Sequence, residues 1–193
     1  EPGPLVPRGE ARERLGLPQG VPVFLFSGLL RPYKGWDVLL EAFREVRKVL
    51  PEAVLLLAGE PWGEAKALAE RPAPPGVHLF LRFLPDGERG LLFDACDAVV
   101  CPYRHATGSG IAADAVSHGR PVLGSDVPGL AVVVEDGVSG LLVPPGDAHA
   151  LAAAMVRFVR DGLAERLSAG AVALAERFTP EAHARTVLAL GGC

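Results

Sequence analysis

From Val21 to Pro145 short, near-continuous apolar runs alternate with longer mixed segments, and this alternation limits the chain to very few folds. The runs are VPVFLFSG, AVLLLAGE, VHLFLRF, AVVCPY, PVLGSD and GLLVPP. Rich in valine and leucine and lacking an apolar-polar alternation, they read as parallel strands covered on both faces. Between them lie DVLLEAFREVRKVL, GEAKALAERP, GERGLLFDACD and GIAADAVSHG, whose apolar residues recur at three and four, the period of a helix stripe. Strand then helix, repeated, predicts an α/β fold: a doubly wound parallel sheet of about six strands with helices on both faces. A helix-like EARERLGLP precedes the first strand. After Asp147 the pattern is helical only, in DAHALAAAMVRFVRDG, LAERLSAGAVALAERF and PEAHARTVLAL, which predicts extra C-terminal helices.

With 193 residues, 49% of them hydrophobic, the chain can bury a core of its own, and we read residues 1–193 as one domain. Its 19 basic and 23 acidic side chains give a net charge of -4, so no global positive field draws it to nucleic acid or anionic lipid. A phosphate must therefore be held by a local site. The cysteines, Cys96, Cys101 and Cys193, form no Cys-x-x-Cys pair and sit in apolar or terminal settings, which argues against metal and disulfides and for a reducing, cytoplasmic home. No apolar run approaches the roughly 20 residues that cross a bilayer. The opening at Glu1 without methionine leads us to expect a piece of a longer protein.

In open parallel sheets, ligands bind beyond the carboxyl ends of the strands where the strand order reverses. Two loops expected at that edge are unusual. SGLLRPYKGW follows the first strand without a Gly-x-Gly-x-x-Gly fingerprint, and carries Arg31 and Lys34 in a chain with only three lysines. Two positive charges suit a diphosphate whose charge grows as it leaves a sugar, or else are a solvated surface pair. RHATGSGIAADAVSHGRPV follows the fourth run. There Gly108, Ser109 and Gly110 allow a close turn into a helix whose first amides favour an anion, while Thr107 or Ser109 can equally serve as a plain cap. Asp114, one helical turn beyond Gly110, can accept from ribose hydroxyls or merely complement the helix dipole. Glu60 reads as a strand-end residue, His118 as a helix C-terminal residue and His105 as a candidate donor; no Asp-x-Asp is present to hold a metal between phosphates.

FSGLLRPYKGWDVLLEAF, LLLAGE, FDACDAVVCPYRHATGSGIAADAVSHGRPVLGSDVPGL and VEDGVSGLLVPPGD, in this order from about Val21 to Phe178, resemble the C-terminal, donor-binding domain of GT-B glycosyltransferases of retaining family four. The resemblance implies a Rossmann-like domain that takes a nucleoside diphosphate sugar, transfers the sugar with retention and uses no metal or other cofactor. It also implies that an N-terminal acceptor domain of the same enzyme is the missing partner. By position, Lys34 matches the lysine that contacts the donor phosphates. Arg31 shares its loop, while the family's usual arginine place, after Gly28, holds Leu29. Gly28 and the segment Thr107, Gly108, Ser109, Gly110 and Ile111 match the diphosphate cradle, and Asp114 matches the ribose-binding acid. The first family glutamate falls on Ala106, and a later one on Val132, so the carboxylate expected at the transferred sugar is lost. Two other readings stand beside it: a non-catalytic nucleotide-binding module, and a nicotinamide-dependent oxidoreductase domain, against which the missing glycine fingerprint counts.

Overall fold

The computed structural model describes residues 5–176. Six parallel strands, β1 (Val23–Ser27), β2 (Val54–Ala58), β3 (Val77–Phe80), β4 (Ala98–Cys101), β5 (Val122–Ser125) and β6 (Gly140–Val143), form one sheet in the order β3-β2-β1-β4-β5-β6. The helices are α1 (Arg8–Arg14), α2 (Trp36–Val49), α3 (Asp86–Ala95), α4 (Gly110–Ser117), α5 (Pro128–Ala131), α6 (Ala148–Arg160) and α7 (Ala164–Ala175). The doubly wound sheet expected from the alternation is therefore present. The predicted helix at 180–190 and Cys193 lie outside the described residues.

The apolar runs are continuous because both sheet faces are covered. Phe24 and Phe26 of β1 point with Leu55 and Leu57 of β2 into a core closed by Leu39 and Phe43 of α2 and Met155 and Phe158 of α6. Val23 and Leu25 point the other way, with Leu56, Ala11 of α1, Leu92 of α3 and Ala112 of α4. Each such large side chain contributes about 1.5–3 kcal/mol on burial, so β1, buried throughout, is the hub of the domain. Cys96 and Cys101 are free and buried, and burial pushes their thiols up to about 12 and about 11; they behave as small apolar residues.

One element differs from its sequence pattern. Residues 63–70 form 3-10 turns rather than an α-helix, opened by the Ala65 N–H to Trp62 carbonyl bond at 3.2 Å. Only Ala65 is buried there, so the segment has too narrow an apolar face for packing to enforce α-helical turns.

Between β1 and β4 the strand order reverses, and the loops that leave these strands flank a crevice. They are bound to one another. Gly35 ends a 3-10 turn (Pro32–Lys34) at φ 67°, and a Cβ there would lie 1.9 Å from the Pro102 carbonyl oxygen beyond β4. The Arg104 guanidinium donates to both oxygens of Asp37, at 2.8 and 2.7 Å, and to the Pro32 carbonyl at 2.7 Å. Its amide donates to the Tyr33 carbonyl at 2.8 Å, and the rings of Tyr33 and His105 stack at 5.3 Å.

Gly35→Ala should destabilise the domain by at least about 3 kcal/mol in urea unfolding, because both the left-handed conformation and the backbone contact must give way. Gly63→Ala, at φ 58° but with open space around it, should cost only the conformational term of about 1–2 kcal/mol. The Arg104 bond holds the Asp37 carboxyl below the usual carboxylate range. A depressed folded-state value contributes stability above the unfolded value of about 3.9 and loses it as pH falls through the folded one. Both partners are over two-fifths exposed, so Asp37→Asn should cost under about 1 kcal/mol at neutral pH, and the difference from wild type should shrink in acid melts as pH falls below the unfolded value of about 3.9.

Candidate functional site

The helix start at the crevice is built by its own residues. The Ser109 hydroxyl caps α4, accepting from the Ala112 amide at 3.1 Å, and lies 3.1 Å from the Tyr103 hydroxyl. Capping thus falls to Ser109, and Thr107 stands exposed with Gly108 and Gly110. The amides of Gly110 and Ile111, the first in the helix, have no intrahelical acceptor, and the Ile111 side chain lies against Gly28 at the crevice. Behind the loop, the Gly129 amide of α5 donates to the Ala106 carbonyl at 2.9 Å, and a Cβ on Gly129 would come 2.4 Å from the Gly108 nitrogen. The turn from 106 to 108 is therefore fixed from the rear.

Lys34 enters the crevice from the facing loop. A Cβ on Gly28 (φ 107°) would sit 2.7 Å from Lys34 Nζ and 3.4 Å from Ile111 Cγ1, so the bare Cα of Gly28 is what leaves room for the ammonium beside α4. Nζ also lies 5.7 Å from the centroid of the Tyr103 ring. The side chain is half-buried and makes no hydrogen bond or ion pair among the described residues. Burial lowers its pKa from the ordinary lysine value, Arg31 lowers it further, and the Cys101 sulfur partly offsets both.

Arg31 sits three residues earlier on the same loop with its guanidinium carbon 5.1 Å from the Trp62 ring centroid, and its Nε is buried without an acceptor. Asp114 is half-buried on α4 and pairs loosely with Arg89 of α3 at 3.8 Å. It also lines a groove of about 620 Å³ between α4 and α7 together with Val133 and Val172.

The structure brings together Lys34, Gly28, Ser109 and Ile111 and places Arg31 on the same loop; Asp114 lies a turn further along α4. His118 is turned away, its Nδ1 2.8 Å from Asp94 Oδ1 and its ring stacked on Phe93 at 5.1 Å. Glu60 contributes its carbonyl to the Leu30 amide at 2.9 Å, as a strand-end residue should. His105 is occupied in the stack with Tyr33 and, with Arg104 and Ala106, borders a hollow of about 530 Å³. Sequence reasoning missed Arg104, Asp37 and Gly129, which tie the two loops and the turn at 106–108 in place, and Trp62, whose ring lies under Arg31. Of these only Arg104 carried a signal, as a cation beside the Gly-Ser-Gly turn. No cluster of three or more metal-ligating side chains occurs, and no helix is long and apolar enough to cross a membrane, among the described residues.

The same architecture recurs in known proteins. The chain is 36% identical to a D-inositol 3-phosphate glycosyltransferase of Nocardioides sp. over 94% of its length, and 36% identical to that of Streptomyces bingchenggensis over 89%. It spans only 43% and 40% of those two relatives. Among solved structures, a sucrose-phosphate synthase from Thermosynechococcus elongatus superposes with a TM-score of 0.79 at 27% identity, covering 96% of this chain and 48% of the synthase. Anabaena HepE in complex with UDP and glucose shares the fold, at a TM-score of 0.77 and 22% identity over 96% of this chain and 52% of its own. The family model described as glycosyl transferases group 1 matches residues 7–173, and the chain belongs to that family.

Proposed function

We propose that this chain is the donor half of a retaining glycosyltransferase, which binds a nucleoside diphosphate sugar in the crevice between the β1 and β4 loops while an N-terminal domain of the same enzyme presents the acceptor. The observation that carries this reading is Lys34, a half-buried cation with no acceptor of its own, set beside the unfilled amides that start α4. Burying a charge without a partner is unfavourable, and an anionic ligand relieves it. The UDP held by the fold neighbour HepE is in keeping with a diphosphate there.

In the reaction, the bond from the anomeric carbon to the diphosphate oxygen breaks as the acceptor's hydroxyl oxygen bonds to that carbon and gives its proton to the leaving diphosphate, on which negative charge collects. In this reading Lys34, Arg31 and the Gly110 and Ile111 amides neutralise that charge, with Thr107 as a further hydroxyl donor and no metal called upon. Asp114 orients the ribose by accepting from its hydroxyls; its long contact to Arg89 leaves lone pairs open. A cytoplasmic setting fits the two buried free thiols. Ala106 favours a second reading, a module that binds the donor without transferring its sugar. Donor hydrolysis by the whole protein, present in wild type and lost in a Lys34 variant, argues for transfer, and its absence from both argues for the module.

Lys34→Met should weaken UDP, GDP or ADP binding by roughly tenfold or more in calorimetry, the loss expected for one charge-assisted contact. Equal binding by the variant would remove Lys34 from the site. The same substitution should raise the melting temperature of the ligand-free chain. The sign follows from the lowered pKa: between the folded value and the ordinary 10.5 the unfolded chain binds more protons, so stability rises with pH and the burden of the buried charge is full at neutrality. For the same reason, nucleotide affinity in wild type should begin to fall at a pH below 10.5, while Lys34→Met shows no such decline.

A further inference from the structure

We propose that Trp62 is a positioning residue of the donor site, holding the Arg31 guanidinium where it meets the diphosphate; the proposal rests on the donor reading above. Beyond the strands, the pairing of β1 with β2 continues for one more step. Leu30 bridges Pro61 and its amide donates to the Glu60 carbonyl at 2.9 Å, so Arg31 and Trp62 leave the same sheet edge as neighbours. The guanidinium carbon lies 5.1 Å from the indole centroid, within cation-π reach. Trp62 is 57% exposed, so core packing does not account for so large an apolar side chain there.

The other half of the argument is what Arg31 lacks. Arg104 and Arg12 each bind a carboxylate and a backbone carbonyl, and Arg120 binds two carbonyls. Arg31 has no such acceptor among the described residues, and its Nε is buried and unpaired. An arginine side chain has many rotamers, and a guanidinium with no bond of its own would sweep through them. The indole face removes that freedom without consuming a donor, since the contact is to the ring and not to an oxygen. Arg31 thus stays fixed with its N–H groups unspent, beside a second cation, Lys34, that also lacks an acceptor. Two such cations on one loop fit an anion carrying more than one charge.

Calorimetry of the 193-residue chain tests this with UDP, GDP or ADP, whichever the wild type binds most tightly, and with the matching nucleoside followed by NMR titration. Trp62→Ala should weaken the diphosphate about three- to tenfold and leave the nucleoside unchanged, and Trp62→Phe should restore most of the loss. In an Arg31→Met background, Trp62→Ala should have no further effect. Unchanged diphosphate affinity in Trp62→Ala overturns the proposal. So does an equal loss for the nucleoside, which would mean that the indole stacks on the base. A wild type that binds none of the three nucleotides brings down the donor reading itself, and that result is seen before any variant is made.

Discussion

The reversal of strand order between β1 and β4 opens a gap in the sheet edge, and the close approach of Gly35 to the Pro102 carbonyl is what sets its width. The β1 loop is tied to the end of β2 by the Leu30–Pro61 bridge, and among the described residues no ladder pairing joins it to the loop beyond β4. A backbone-to-backbone contact with no space for a Cβ fixes their distance in a way that no side-chain pair can. Arg104 then fixes their angle, because its fork spans Asp37 at the start of α2 and the Pro32 carbonyl at once. α4 is held as firmly from its far end. His118, which caps its C-terminus, bonds Asp94 of α3 at 2.8 Å, and Arg120 donates to the Phe93 and Asp94 carbonyls at 2.9 and 2.8 Å. The amides at the front of α4 are thus aimed by bonds made at its rear.

Against this satisfied frame, the cations in the crevice stand out. Among the described residues, the buried side-chain nitrogens and oxygens left without a partner are Arg31 Nε, on the β1 loop, and the indole nitrogen of Trp36, at the start of α2. Placing Lys34 near Arg31 without a carboxylate between them works against folding and favours an anion from outside. The stability that offsets this comes from β1 itself, whose five residues are all buried and which feeds directly into the loop. Hub strand and charged loop are consecutive in sequence, so the most stable part of the domain carries the least comfortable part of the site.

Much of this was legible in the residues. The six apolar runs became the six strands because a strand covered on both faces has no reason to alternate, and Lys34 could be singled out because lysine is scarce here and sits in a loop. What could not be read was anything that depends on which loops meet. Asp37 and Arg104 are 67 residues apart, Trp62 and Arg31 belong to different strand ends, and Gly129 supports a turn about twenty residues before it. The 3-10 turns at 63–70 escaped for the opposite reason. Their local pattern resembles a helix, and only the poverty of burial, a tertiary fact, decides otherwise.

In the donor reading, Ala106 separates the two halves of the site. Its carbonyl is taken by the Gly129 amide, and the backbone from Ala106 to Gly108 is wedged against α5, so the frame on which a carboxylate would stand is intact and rigid. An alanine in place of an acid therefore changes one side chain and leaves the backbone of the turn as it is. Neither Lys34 nor the α4 amides make any contact that depends on position 106. In the donor reading, binding of the diphosphate and recognition of the sugar are then independent properties of the same loop, and a chain can keep the first in full while redrawing the second.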